Sequence, residues 1–359
     1  MAEPSQRVRL QHLAGTRFVA SLWIVCQHFL PSSRNGRLVR VLWRSNVGVD
    51  YFIILSGFVT HWASRGTKVR LAPWFARRFG RVLASTYLSM MAAMAIFAIQ
   101  RQFDELVPGH VARCALLVET WLDPQRWCPN GQIWTVAALA PSWVLYPFLL
   151  DRIAKRALIP ATVIAALVPT CVSLWYVVRN GGASELDQAY MYLWPPSQLL
   201  DFALGACAAE WAARADISHR HGRLADAAFA IVLALSFSAP NPNLDYRDGY
   251  EPLFDHGLAP VLALFLYASA VDGRRATYLD VNPTSATARM FAHPALTSLG
   301  VCSFQVYLFQ WPVHAIFGMI GLDTQKNGAA ENFVAFALTL WLLAALYERY
   351  LERPFVAWL

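Results

Sequence analysis

The sequence predicts an all-α fold: a polytopic integral membrane bundle of about ten transmembrane helices, with both termini in the cytoplasm. Three observations lead there. Hydrophobic residues make up 57% of the 359 and charged residues 15%, whereas a soluble domain carries roughly 25% charged residues. Apolar runs near the roughly 20 residues that a helix needs to cross a bilayer recur along the whole chain. Most lysines and arginines fall in the short loops between those runs, concentrated on one side, which is how membrane proteins fix their orientation. The formal charge of +7 is therefore assigned to orientation. Nucleic acid is excluded as a partner, and the lipid bilayer is the partner implied.

In chain order the predicted spans are 14–30, 47–63, 82–99, 134–150, 157–178, 191–212, 225–238, 258–271, 296–321 and 333–350. The first is expected to serve as its own insertion signal, since 15–30 has no small-residue cleavage site and leads straight into further spans. The apolar piece 114–122 is too short to cross and contains Glu119, so it reads as a re-entrant or interfacial segment. With the N-terminus inside, the inner loops and tails hold 19 basic residues and the outer loops ten. The outer side also collects Glu185, Asp187, Asp245, Asp248, Glu251 and Asp255; loop 31–46, with four arginines, dissents. Pro195-Pro196 and Pro312 suggest kinked or broken helices lining protein cavities. The six cysteines show no CxxC or metal-type spacing, so no metal site is expected. Only Cys114 and Cys128, flanking one loop, are candidates for a disulfide. No internal repeat, low-complexity stretch or separate soluble unit is evident, so residues 1–359 form a single membrane domain.

Chemistry is expected first on span one. Arg17 and His28 lie eleven residues apart in an otherwise apolar run, which on a helix separates them by about 16 Å. Ionisable groups inside a membrane are costly and mark function. His28 falls near the outer end of that span and Asp50 begins the next from the same side. A carboxylate beside an imidazole orients it and raises its basicity, as a general base requires. The competing reading is an interfacial His and Asp, each hydrogen-bonded locally, and a snorkelling Arg17. The basic stretch 65–81 would serve orientation alone, yet Arg77, Arg78 and Arg81 open a helix at a spacing that could also hold phosphate groups. Ser56 and Gly57 read as small residues that let helices approach.

The combined pattern resembles the membrane acyltransferase-3 family. Arg17 and His28 within LAGTRFVASLWIVCQH, then GVDYFIILSGF (48–58) and ARRFGRV (76–82), carry the likeness. WTVAALAPSWVLYPFLL (134–150), PPSQLLDFALGACAA (195–209), LTSLGVCSFQVYLFQWPV (296–313) and LERPF (351–355) continue it in order over nearly the whole chain.

The resemblance implies a multi-pass enzyme of the cell membrane that moves an acyl group, commonly acetyl, from a coenzyme A thioester to a hydroxyl of a carbohydrate or other acceptor. No bound cofactor is implied beyond that donor. The family's Arg/His pair falls on Arg17 and His28, its early acid on Asp50, and its basic helix start on Arg78 and Arg81. Trp134 and Trp311 would stack on a sugar, or simply pack, and Gln310 would offer hydrogen bonds. This chain departs from the family in carrying Leu139 where a glutamate is usual, Gln310 where a histidine precedes Trp-Pro, and Ala84 for a proline. Leu139 can neither transfer a proton nor bind a cation. Two further readings therefore stay open: a catalytically altered relative that binds donor or glycan as a sensor, and a small-molecule transporter.

Overall fold

The protein is described by a computed structural model covering residues 8, 10–30, 42, 44–65, 70–180, 185–238, 256–325 and 330–358. Among the described residues every regular element is helical. The order is α1 (His12–Phe29), α2 (Asn46–Ser64), α3 (Leu71–Ile99), α4 (Pro108–Ala115), α5 (Glu119–Leu122), α6 (Trp134–Leu145), α7 (Asp151–Arg156) and α8 (Leu158–Asn180). Then come α9 (Glu185–Tyr192), α10 (Pro195–Arg214), α11 (Gly222–Ser238), α12 (Ala259–Leu279), α13 (Ala286–Phe291), α14 (Pro294–Val301), α15 (Ser303–Met319), α16 (Ala330–Tyr347) and α17 (Arg353–Trp358). Arg34, Arg37 and Arg40 of the dissenting loop, and Asp245, Asp248, Glu251 and Asp255, lie outside the described residues.

Among the described residues four helical segments are long and apolar enough to cross a membrane: Leu71–Ile99, Gly131–Arg156, Leu158–Tyr176 and Ala330–Trp358. On α8 a broad stripe including Ile159, Ile164, Leu167 and Trp175 is exposed, the surface that lipid would cover. Helices α1, α2 and α10 are more polar because they are enclosed by protein instead, burying His12, Asp50, Asp201 and Glu210.

Sequence and structure differ at several helix ends, each for a local reason. Helix α3 begins at Leu71 rather than at 82, so Arg77, Arg78 and Arg81 already lie on it. The segment expected at 191–212 starts at Pro195, because a proline has no N–H and takes the first helical position without loss. The segment expected at 296–321 is broken at Cys302 into α14 and α15. Helix α6 runs into α7 through a π-helical turn, Tyr146–Leu150, where Pro147 supplies no amide. The piece 114–122 does not cross: it ends α4, turns at Leu117 in the left-handed region and forms α5.

Helices α2 and α10 cross with backbone against backbone. A Cβ on Gly57 would run into the carbonyl oxygen of Phe202, and one on Gly205 into that of Ile54. The two backbones touch, as the small residues of 46–60 suggested. Gly57→Val is expected to lower thermal stability in detergent severely, beyond the ~1–3 kcal/mol usual for overpacking because backbone must move. Gly109→Ala, with open space at its Cβ, should leave it unchanged; fluorescence-detected size exclusion after heating checks both.

Candidate active site

A cavity of about 450 Å³ opens at one end of the bundle. Helix α1 contributes Ile24, Gln27 and His28, successive turns of one face, and α2 contributes Asn46 and Val49. Trp134, Tyr192, Tyr307 and Trp311 supply aromatic wall. Trp134 packs on Tyr192 with ring centroids 4.7 Å apart, and Trp311 on Phe97 at 5.1 Å. Rings beside amide side chains suit a ligand that has both apolar faces and hydroxyls.

The outer wall comes from residues 103–133. Glu105, Trp127, Cys128 and Gln132 line the cavity, and a Cys114–Cys128 disulfide staples this cap. His110 Nε2 meets the Trp127 carbonyl at 3.0 Å and its Nδ1 lies 3.2 Å from Glu119, which also takes Arg113 at 2.6 Å. His110, Cys114 and Glu119 converge as metal ligands might, but the sulfur is in the disulfide and the carboxylate is paired with Arg113.

His28 Nδ1 lies 3.3 Å from Gln310 Oε1. Gln310 is fully buried behind the ring rather than on the cavity wall. Asp50 is fully buried on α2, next to Val49, and the described hydrogen bonds of the His28 ring do not include it. Gln325 Nε2 donates to the His28 carbonyl at 2.7 Å, tying down the end of α1.

The arginines assemble one layer deeper. Arg78 donates to Ser56 Oγ at 2.8 Å and its guanidinium stacks 4.9 Å from the Trp143 ring, whose Nε1 also donates to Ser56 at 3.2 Å. Ser56 thus does more than permit close packing: it fixes a cation. Arg17, Arg78 and Arg81 lie close enough to repel one another, and Glu352 attracts Arg17 and reaches Arg81 at 3.4 Å. Gln305 donates to Glu352. Three arginines gather beside Glu352, while its neighbour Glu348 is taken up by Arg353 at 2.6 Å, so the group retains capacity for an anion. Arg77 turns back to the Pro73 carbonyl on its own helix and is not part of it.

None of Arg17, Arg78 and Arg81 lines the cavity. Ile24 to Arg17 on α1 and Val49 to Ser56 on α2 are each seven residues, so the arginine layer lies about 10 Å below the cavity floor. Ile53, Trp143 and Leu308 fill the interval, with Leu139 packed against them.

Two buried histidine–carboxylate contacts were not singled out from sequence. His61 contacts Glu210 Oε2 at 2.9 Å and the Tyr146 hydroxyl at 3.0 Å, with Arg65 and Arg214 also donating to Glu210. His256 contacts Asp201 at 2.7 Å and the Met191 carbonyl at 2.7 Å. The signal was present: Asp201 and Glu210 interrupt an apolar run.

The acyltransferase-3 family model, described as an acyltransferase domain, matches residues 11–348. Acyltransferase MdmB of Streptomyces mycarofaciens is 26% identical, over 98% of this chain and 92% of its own length. A putative O-acetyltransferase of Staphylococcus aureus strain COL is 22% identical over 96% of this chain, and the putative peptidoglycan O-acetyltransferase YrhL of Bacillus subtilis 20% over 95%. The chain spans about half the length of these two O-acetyltransferases, 56% and 54%. No solved structure matches. Cys128→Ser is expected to destabilise the cap by about 3 kcal/mol, the loop-closure value for a separation of 14 residues; thermal unfolding with and without reductant should reproduce that shift.

Proposed function

The chain belongs to this acyltransferase family, and on that premise we propose that it is an O-acyltransferase of the cell membrane. In this reading it has ten spans and cytoplasmic termini. It moves an acyl group, acetyl foremost, from a coenzyme A thioester to a hydroxyl of a carbohydrate or other small acceptor. The observation that carries the reading is the placement of two unlike chemistries on one rigid helix. His28 borders a cavity whose lining suits an acceptor, and Arg17 belongs to an arginine layer whose charge suits an anionic donor.

Sidedness has two supports. The distribution of basic residues puts the arginine layer toward the cytoplasm. The Cys114–Cys128 bond favours a cap on the oxidising side, where disulfides persist. The donor's phosphates then lie against Arg17, Arg78 and Arg81, and its slender thioester arm crosses the apolar interval toward the cavity. Leu139 in that interval leaves it free of charge, which suits passage of an uncharged arm.

The chemistry follows from these positions. The acceptor hydroxyl lies in the cavity against Trp134 and Trp311. His28 takes its proton while the oxygen attacks the thioester carbonyl, forming the new C–O bond. The tetrahedral adduct collapses by breaking the C–S bond, and the departing thiolate receives the proton that His28 held. The charge of Asp50, on the adjoining helix, favours the imidazolium formed in between. General-base catalysis of this kind contributes roughly 10²- to 10⁴-fold. Names of the relatives that specify O-acetyl transfer favour acetyl as the group moved.

Leu139 motivates a second reading, in which the chain binds donor or glycan without turnover. Purified protein given labelled acetyl-CoA and a panel of sugars and other alcohols separates the two. His28→Ala is expected to abolish ester formation, by at least about 10²-fold, with the protein still eluting as a folded species; full activity in that variant would remove His28 from the mechanism. Arg78→Ala should raise the KM for acetyl-CoA with a smaller change in kcat, and Asp50→Asn should cost less than loss of His28. Binding without ester formation by the unaltered protein would favour the sensor.

A further inference from the structure

We infer that Gln310 is a positioning residue that fixes the tautomer of His28, a task the sequence pattern gave to Asp50. The inference rests on the reading of His28 as the general base only for its consequence in catalysis; the geometry stands apart from it. Gln310 lies fully buried on α15, 282 residues from its partner in sequence. Its Nε2 donates to the Tyr307 carbonyl at 3.0 Å, one turn back on the same helix. A primary amide has one donor end and one acceptor end. With the nitrogen engaged by a carbonyl, the oxygen is what faces the imidazole, 3.3 Å from Nδ1. The reversed amide would set two oxygens against each other and is excluded by that repulsion.

An amide oxygen accepts only. Nδ1 of His28 therefore carries the hydrogen, and Nε2 is left with a free lone pair. That is the tautomer a general base needs, with its second nitrogen available for an acceptor hydroxyl. The same turn of α15 puts Tyr307 and Trp311 on the cavity wall. One carbonyl, one amide and one imidazole thus run from that wall to the base. When His28 takes a proton, the Nδ1–H···Oε1 bond becomes charge-assisted and strengthens. A glutamine does this without placing a second buried charge in the membrane interior, where an unpaired carboxylate would be costly.

The test reads the ring directly. The full chain, labelled with ¹⁵N-histidine and reconstituted in phosphatidylcholine bilayers, is examined by solid-state NMR, and the His28 signals among the nine histidines are assigned by difference from His28→Ala. The expected result is a neutral His28 protonated at Nδ1 and bare at Nε2. Gln310→Met, similar in volume and without an acceptor oxygen, should release the ring to the Nε2–H tautomer that free imidazole prefers, while Gln310→Glu should keep the Nδ1–H form. If the unaltered protein shows Nε2–H, or if Gln310→Met leaves the tautomer unchanged, the inference is overturned. Should Gln310→Met not fold, the tautomer of the unaltered protein decides alone. In acetyl-CoA turnover, Gln310→Met should lower kcat by up to the roughly 10²-fold lower bound that general-base catalysis contributes, at an unchanged KM for acetyl-CoA. An Nδ1–H ring in a protein whose His28→Ala variant remains fully active would keep this inference and sink the general-base reading.

Discussion

Contact between the backbones of α2 and α10 is the constraint from which the working geometry follows. Gly57 and Gly205 leave no room for a side chain at that crossing, so α2 has a fixed height and rotation against the bundle. Its two functional positions are then set together: Val49 on the cavity wall and Ser56 under the Arg78 guanidinium. Helix α1 repeats the interval with Ile24 and Arg17. Two rulers of equal length separate the cavity beside His28 from the arginine layer by about 10 Å, with apolar side chains between them.

Inside a bilayer no water is available to satisfy a polar group, so each buried ion needs a protein partner. Asp201 has His256, Glu210 has His61 together with Arg65 and Arg214, and Asp272 accepts from Thr284 and the Ser285 amide. The two histidine–carboxylate pairs join segments 55 and 149 residues apart and serve as pins. They weigh against a transport path, because a carboxylate engaged by fixed partners on neighbouring helices is poorly placed to load and release a substrate. The arginine layer differs: among the described residues Arg17, Arg78 and Arg81 outnumber Glu352, Glu348 being paired with Arg353, and an ion of opposite charge would complete it.

Much of this was legible in the sequence where the signal is local. Apolar length located the helices α3, α6, α8 and α16. An ionisable residue in an apolar run marked Arg17 and His28. Helical spacing grouped Arg77, Arg78 and Arg81; the structure gathers Arg78 and Arg81 and turns Arg77 back to the Pro73 carbonyl, which spacing alone did not foretell. Two cysteines flanking one loop marked the disulfide. What stayed hidden depends on pairing across the chain. Gln310 meets His28 from the far end of the sequence, and a glutamine beside Trp-Pro gives no hint of which ring its oxygen will face. His61 and Glu210 lie 149 residues apart. Glu105, Trp127 and Gln132 reach the cavity only through the folded path of the cap, which follows from turns and a disulfide rather than from periodicity. Ser56 was read as small, although its hydroxyl accepts from two donors.

Transfer between opposite faces is the central claim, and a sidedness assay meets it most directly. Proteoliposomes sorted by whether the cap or the arginine layer faces outward would be given labelled acetyl-CoA outside, with a panel of sugar acceptors on both sides. The expected result is ester formation only when the arginine face meets the donor, with product on the side of the cap. Equal turnover with the donor confined to the side of the cap would contradict the whole arrangement.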